Sequence, residues 1–355
     1  MPRLYYLGAF VPAALVLDLV GATAAPVFAC SALGVIPTAA LMSEATEQLA
    51  EHSGPGVAGL LNVTFGNAPE LIIAVFALAD GLHEIVKASL VGSVTSNALL
   101  VLGAAMLAGG RRHGPQRFTA RAARAQSATL LAGALALSIP SFLRLAQGHS
   151  LPRVGAGRAL FGSGIEALSI VIAVVLIAAY AAGLLASLRA HSGDHAPPDE
   201  PPRWSVRRAT LLLAAASVLV AVASDTLVGS VEHASSQIGL SQFFIGSIVV
   251  AIVGNASEHW VAVVAAAKDK LDLAISIAVG SSSQVGLFLA PLIVLLSFAI
   301  GPSPMAMVFN GYELAALAVA ALAAAAMTSG ARSTAARGGL LIALYAALGV
   351  VFALA

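Results

Sequence analysis

Charged side chains are scarce in this sequence. Asp, Glu, Lys and Arg make up 10% of its 355 residues, and hydrophobic residues make up 59%. An ordinary soluble domain has about 25% charged residues, so the composition excludes the common soluble enzyme folds and indicates a protein embedded in lipid. The formal net charge of +1 gives no reason to expect nucleic acid or another acidic partner.

Cysteine and lysine are also nearly absent. The single cysteine, Cys30, excludes an intramolecular disulfide. Arg outnumbers Lys 15 to 3 and alanine is abundant, a bias that is typical of GC-rich bacterial genomes. We therefore expect a protein of the bacterial inner (plasma) membrane.

The apolar residues form about eleven long segments, each close to the length that spans a hydrocarbon core of about 30 Å. Lipid offers no hydrogen-bond partners to the backbone, so the segments are expected to be helices. The sequence thus predicts an all-α polytopic membrane protein. The first segment could instead be a cleaved signal peptide. The segments cover residues 3–20, 24–43, 57–80, 84–108, 124–146, 160–188, 209–230, 238–267, 271–300, 307–328 and 338–354.

The positive charges predict the orientation of these helices. With a cytoplasmic N-terminus, 14 of the 18 Lys and Arg residues fall on the cytoplasmic side, and only Lys87, Arg144, Arg153 and Arg158 fall outside. Cytoplasmic loops carry the excess of such residues. Eleven helices then place the C-terminus outside.

A polar, proline-rich stretch at residues 191–204 divides the chain into two halves. Its composition is typical of a flexible cytoplasmic linker, although Asp194, Asp199 and Glu200 could form a regulatory cation patch. We predict an additional helix at 1–23, a first repeat at 24–188, a linker at 189–208 and a second repeat at 209–355.

The two halves share short motifs in one register. The first half contains GNAPEL at 66–71 and the second contains GNASEH at 254–259, 188 residues later. The same offset aligns VGSVTSN at 91–97 with VGSSSQV at 279–285, and Glu44 with Glu232. We predict one extra helix followed by two five-helix repeats. Because five is odd, the repeats enter the membrane from opposite sides, as in secondary transporters whose sites lie near the midplane.

Each repeat places a carboxylate, Glu70 or Glu258, within an apolar segment, where a charge is costly and usually functional. Gly66, Gly254 and Pro69 are weak helix formers that predict a break just before the acid. Hydroxyl and amide groups follow nearby, at Asn67, Asn255, Ser93, Ser96, Asn97, Ser281, Ser282 and Gln284.

These groups are hard oxygen ligands, and six to eight flexible oxygens suit Ca²⁺. Two buried carboxylates cannot both stay ionised without a cation between them. One Ca²⁺ or two protons would neutralise the pair equally well, so the residues predict exchange of Ca²⁺ for H⁺. Ca²⁺ is then a transported substrate, and no cofactor is expected.

The motifs GNAPEL and GNASEH, with VGSVTSNALLVLG and IAVGSSSQVGLFLAPLIVLL, resemble the two repeat signatures of the Ca²⁺/H⁺ antiporter (cation/proton exchanger) family within the cation/Ca²⁺ exchanger superfamily. The resemblance implies that Glu70 and Glu258 bind cation and protons, with Asn67 and Asn255 as neighbouring ligands. It implies that Ser93, Ser96, Ser281 and Gln284 line the path. It also implies a gating role for the helices that contain Glu44 and Glu232.

Other interpretations remain open at this point. Glu44 and Glu232 could be plain interfacial charges, and His259 could be a packed histidine or a proton relay. Na⁺-coupled Ca²⁺ exchange, exchange of Mn²⁺ or another divalent cation for protons, and a passive channel use the same residue types. An intramembrane enzyme is disfavoured, because the matched acids are both Glu and no loop carries clustered aspartates.

Overall fold

The computed structural model describes residues 4–53, 55–157, 161–190 and 203–355. A 3₁₀ helix, Leu4–Ala9, precedes the α-helices. The first nine α-helices are α1 Phe10–Leu19, α2 Ala24–Glu51, α3 Pro55–Gly66, α4 Ala68–Ala79, α5 His83–Thr95, α6 Leu102–His113, α7 Ala120–Ala146, α8 Ser163–Ala190 and α9 Val206–Ile238. The others are α10 Gln242–Phe244, α11 Ala251–Gly254, α12 Ala256–Ala267, α13 Leu271–Gln284, α14 Ala290–Leu296, α15 Gly311–Thr328 and α16 Ala335–Leu354.

Three π-helical segments join consecutive α-helices without a break in the chain direction. These are π1 Ser96–Val101, π2 Ile245–Val250 and π3 Val285–Leu289. Two short strands, β1 Gln116–Arg117 and β2 Arg332–Ser333, form an antiparallel pair. Most of the predicted linker, residues 191–202, lies outside the described residues, as do Arg3 and Arg158.

Within the described ranges, eight helices are long and apolar enough to cross a membrane, and two bent pairs raise this number to ten. The pairs are α3 with α4, bent by 43°, and the α10–α11 stretch with α12, bent by 60°. The all-α membrane architecture is therefore confirmed, while the predicted number of eleven spans stays a prediction. Among the described residues, a shorter apolar helix covers Tyr6–Leu19, within the predicted span 3–20.

Two helices extend well beyond their apolar segments. α2 continues to Glu51 rather than ending near residue 43, and α9 continues to Ile238 rather than ending near residue 230. Hydropathy detects only the part of a helix that lies in hydrocarbon, whereas backbone hydrogen bonding continues into the polar residues that follow.

The chain forms two compact units. The described residues of unit 1 fall within Met1–Phe76, Ala178–Ile238 and Val253–Ser257. Those of unit 2 fall within Ala77–Ile177, Gly239–Ile252 and Glu258–Ala355.

In unit 1, α2 packs along α9, the long helix from the other half of the chain. Their shared core also takes in the start of α4, and consists of Met42, Ala45, Ala68, Leu213, Ala216 and Val220. At one end, the Gln48 side chain accepts hydrogen bonds from the backbone N–H groups of Arg203 (2.8 Å) and Trp204 (3.0 Å). The chain just before α9 is therefore attached to α2.

In unit 2, small residues let helices approach closely. A Cβ atom built on Gly338 of α16 would lie 2.5 Å from the carbonyl oxygen of Gly103 in α6. A Cβ on Gly246 of π2 would lie 2.9 Å from the Cβ of Ala88 in α5. Such close contact of small residues is typical of packing between helices in a membrane.

At one end of unit 2, three loops are joined by hydrogen bonds. β1, in the α6–α7 loop, pairs with β2, in the α15–α16 loop. The Gln116 amide donates to Asp269 Oδ1 (2.6 Å), and the Thr119 N–H donates to Asp272 Oδ1 (2.7 Å). The loop between α12 and α13 is thereby attached to β1.

At the other end, the segment at residues 305–309 is held by a serine of α7, a serine of α8 and the serine that follows α14. The N–H groups of residues 305, 307 and 309 donate to the hydroxyls of Ser297 (2.8 Å), Ser169 (3.0 Å) and Ser141 (2.9 Å). Lys87 Nζ donates to the carbonyl of Val308 (2.9 Å). The same end contains Glu84, whose carboxylate accepts the N–H groups of residues 155 and 157 at 2.8 and 3.2 Å.

Candidate cation site

The predicted helix breaks occur at the two Gly-Asn pairs. α3 ends at Gly66 and α4 begins at residue 68, so Asn67 lies between them. In the second half, α11 ends at Gly254 and α12 begins at residue 256, so Asn255 lies between them. Adding the repeat offset of 188 to the bounds of α4 gives the bounds of α12.

Glu70 lies in the first turn of α4, directly after the first break. Its side chain is only 9% exposed. Asn255 Nδ2, at the second break, donates a hydrogen bond to Glu70 Oε1. The two motifs, 185 residues apart in the chain, therefore meet within unit 1, with an amide group of one against the carboxylate of the other.

Gly254 makes this approach possible. A Cβ atom at this position would lie 3.1 Å from Glu70 Cγ and 3.8 Å from Ile73 Cδ1. The first of these distances is shorter than nine in ten observed Cβ contacts. Gly66 is different, since nothing lies within 4 Å of a Cβ built there. Its role is at the break itself, where a weak helix former ends α3.

The sequence did not identify two further polar residues of unit 1, Ser43 and Ser257, as part of the site. Ser43 Oγ lies 3.1 Å from Ser257 Oγ, so a hydrogen bond joins α2 to the residue just before Glu258. The sequence signal for Ser43 is weak, because a serine in an apolar helix commonly bonds to its own backbone.

The asparagines at both breaks are buried, since Asn67 is 3% exposed and Asn255 is 2% exposed.

Glu44 and Glu232, the candidates for gating, also belong to unit 1. Glu44 is half-buried in α2, and Glu232 is exposed in α9 near its C-terminal end.

Glu258 and His259 belong to unit 2 and lie in the first turn of α12. Both side chains are half-buried, and the next residue, Trp260, is 59% exposed. Within the described part of the chain, His259 Nε2 is buried and has no hydrogen-bond partner.

The six predicted path-lining residues also lie in unit 2, where α5 and α13 pass into π1 and π3. Five of them are nearly inaccessible and Gln284 is half-buried. Ser282 Oγ donates to the carbonyls of Ala278 (3.0 Å) and Val94 (3.3 Å), and Ser96 Oγ donates to the carbonyl of Ser93 (3.2 Å). The nearly inaccessible residues are Ser93, Ser96, Asn97, Ser281 and Ser282.

The π-helical segments were not predicted. π1 begins at Ser96 and π3 begins at Val285, one residue from the position that the repeat offset gives. A π-helical turn breaks the regular hydrogen-bond ladder of an α-helix and often occurs at functional sites. π1 begins at Ser96, and π3 begins directly after Gln284, so both start next to polar residues of the motifs.

The candidate residues offer oxygen atoms almost exclusively. Among the described residues, no group of three or more His, Cys, Asp or Glu side chains is arranged to hold a metal ion. The Asn255 amide contacts Glu70 directly. The carboxylate, amide and hydroxyl groups that the candidate residues supply are typical of sites for hard cations such as Ca²⁺ and unlike the sites of zinc or copper.

Comparison with known proteins identifies one family and several relatives that cover most of the chain. The family described as sodium/calcium exchanger protein matches residues 23–189 and 208–354. The Ca²⁺/H⁺ antiporter ChaA of Bacillus subtilis is 38% identical over 362 residues, which cover 99% of both chains. A Ca²⁺/H⁺ antiporter of Aphanothece halophytica is 37% identical over 92% of this chain and 89% of that protein.

The solved structure of native YfkE matches with a TM-score of 0.84 and 36% identity, and the match covers 99% of both chains. This similarity extends over both units and over both repeat motifs. The chain belongs to the sodium/calcium exchanger protein family and has the fold of its membrane exchangers.

Proposed function

We propose that this protein is a secondary antiporter that exchanges Ca²⁺ for H⁺ across the membrane. The observation that carries the proposal is the hydrogen bond from Asn255 to Glu70, because it joins the two repeat motifs at their helix breaks. The names of the relatives, Ca²⁺/H⁺ antiporters over nearly the full length, support the same activity.

In this proposal Glu70 and Glu258 hold the cation and the protons in turn. Ca²⁺ requires both carboxylates in their charged form, together with the amide oxygens of Asn67 and Asn255. When Ca²⁺ leaves, the carboxylates take up protons, since two charges in a poorly solvated site repel each other. Coupled exchange follows if the protein changes only slowly between its two access states while the site is empty and doubly charged.

Alternating access would move the site from one side to the other. α2 and α9, which carry Glu44 and Glu232, would take part in gating, and His259 would relay protons to Glu258. The inverted five-helix repeats and the cytoplasmic N-terminus are part of the same proposal. The loop contacts at each end of unit 2 support the proposed orientation of the helices, because each set of contacts joins loops that the charge count assigns to one side of the membrane.

The experiment is a paired flux measurement in proteoliposomes with an imposed pH gradient. Ca²⁺ uptake and internal pH are recorded together for wild type, Glu70→Gln and Glu258→Gln. Each substitution removes one of the two negative charges, so both fluxes should be lost in both variants. Glu166→Gln, in α8, is the matched control and should keep both fluxes.

Different outcomes would separate the alternatives. Uptake that requires Na⁺ after the pH gradient is collapsed would indicate a Na⁺-coupled exchanger, and Mn²⁺ uptake would identify a wider cation range. Ca²⁺ flux without proton flux would indicate a channel. If either glutamate variant retains coupled exchange, the proposed role of that glutamate is wrong.

A further inference from the structure

The β1–β2 pair places two arginines directly opposite each other. Arg117 pairs with Arg332, and Gln116 pairs with Ser333. The second pair is buried, so it faces the protein, while both arginines are exposed. Residues paired in this way share one face, with Cβ atoms about 4.5–5.5 Å apart.

Like charges directly opposite each other destabilise a pair of strands. Within the described residues, neither arginine makes an ion pair. Asp269 and Asp272 lie nearby and keep their negative charge, but each bonds to a neutral donor: Asp269 accepts from the buried Gln116 amide and Asp272 from the Thr119 N–H. The four paired strand residues themselves contain two positive charges and no negative charge.

The surroundings increase the positive charge further. Arg337 Nη1 donates to the carbonyl of Arg332 (2.7 Å), which brings a third guanidinium close to the pair. The three loops at this end of unit 2 and their flanking helix ends carry nine of the 18 Lys and Arg residues in the chain, all of them exposed. These are Arg111, Arg112, Arg117, Arg121, Arg124, Lys268, Lys270, Arg332 and Arg337.

The position of the pair limits what can bind there. β1 lies between the ends of α6 and α7, and β2 lies between the ends of α15 and α16. Helices long and apolar enough to cross the membrane thus end next to both strands. Because such a helix ends where the hydrocarbon core meets the headgroups, we expect both strands to lie near the phospholipid phosphates. Arginine binds phosphate through its planar set of N–H donors.

We propose that Arg117 and Arg332 form a binding site for the phosphate group of an anionic phospholipid in the adjacent leaflet. The lipid phosphate supplies the negative charge that the strand pair lacks, and Arg337 adds to the positive field. Bound lipid then stabilises the contact between the α6–α7 and α15–α16 loops. This inference is independent of the transported ion.

The test uses the purified full-length protein in a neutral detergent. The unfolding temperature is followed through tryptophan fluorescence during titration with dioctanoyl phosphatidylglycerol, dioctanoyl phosphatidylcholine or inorganic phosphate. Wild type should be stabilised saturably by phosphatidylglycerol alone. Each interfacial arginine contributes about 1 kcal/mol, equivalent to about 5-fold in affinity, so Arg117→Gln/Arg332→Gln should require about 25-fold more phosphatidylglycerol.

The control is Arg153→Gln/Arg207→Gln, which removes two exposed arginines elsewhere and should titrate like wild type. Without lipid, the test variant should be no less stable than wild type, because a like-charge contact is removed. If the double variant fails to fold, the single variants should each show a shift of about 5-fold. The proposal is overturned if phosphatidylcholine or inorganic phosphate stabilises wild type equally, or if the test variant keeps its affinity for phosphatidylglycerol.

Discussion

The Ser282 hydroxyl donates a hydrogen bond to the carbonyl of Val94 at 3.3 Å, and these residues lie 188 positions apart. The same offset separates Glu70 from Glu258 and Gly66 from Gly254. A direct contact between residues at the repeat offset is expected where a two-fold pseudo-symmetry axis passes between two helices. The contact between α5 and α13 therefore supports the proposed repeat arrangement.

Loss of the Asn255 amide should impair both folding and cation binding. Asn255→Ala removes a donor to the buried Glu70 carboxylate, at a cost of about 1–3 kcal/mol in the free energy of unfolding. We expect a lower unfolding temperature in thermal denaturation and Ca²⁺ binding weakened by roughly 10-fold in calorimetry. Asn62→Ala changes an exposed asparagine of α3 and should alter neither quantity. Unchanged Ca²⁺ affinity in Asn255→Ala would contradict its role as a ligand.

The two glycines of the repeat motifs should respond differently to the same substitution. In Gly254→Ala the new methyl group would lie 3.1 Å from Glu70 Cγ and should displace the carboxylate, lowering Ca²⁺ transport roughly tenfold. Gly66→Ala makes the same change where nothing lies within 4 Å, so only the helix break is affected and transport should fall less than in Gly254→Ala. Rates of Ca²⁺ uptake in proteoliposomes test this pair. Equal loss in both variants would mean that helix propensity, and not contact with Glu70, determines the effect.

The contact between α6 and α16 should not tolerate a methyl group. Gly338→Ala places a Cβ 2.5 Å from the Gly103 carbonyl oxygen, and overpacking of this kind costs about 1–3 kcal/mol. The unfolding temperature should fall relative to wild type. The neighbouring substitution Gly339→Ala meets nothing within 4 Å and serves as the control. A stable Gly338→Ala protein would show that the two helices can separate freely.

Lys87 should be required for stability. Its side chain is 6% exposed, and its Nζ donates to the Val308 carbonyl. Lys87→Met would leave this buried carbonyl without the donor, at a cost of about 1–3 kcal/mol. Thermal unfolding should show the loss, whereas Lys268→Met, at an exposed position, should have little effect. Equal unfolding temperatures for the two variants would contradict the proposed contribution.

Much of the membrane architecture and the position of the helix breaks could be predicted from the sequence. Hydropathy and length predict helices in lipid, and Gly66 and Gly254 predict breaks because glycine weakens a helix. The hydrogen bond between Asn255 and Glu70 could not be predicted, since it depends on how distant segments meet. The π-helical segments could not be predicted either, because a change from α to π hydrogen bonding has no distinct residue pattern.

The ends of α2 and α9 show a further limit. Residues such as Gln48 and Glu232 are polar, so an apolar segment is expected to end before them. In the structure they remain helical, and Gln48 uses its side chain to hold residues 203 and 204. Tertiary contacts of this kind determine helix length and cannot be inferred from hydropathy.

The segment at residues 305–309 imposes a constraint on its own length. The N–H groups at 305, 307 and 309 each reach a different serine hydroxyl, while the Val308 N–H turns back to the carbonyl of Ala306 (2.8 Å). Insertion or deletion of one residue would move these N–H groups away from their hydroxyls and the Val308 carbonyl away from Lys87. In this segment the spacing of the backbone groups is therefore constrained more strongly than the identity of most of its side chains.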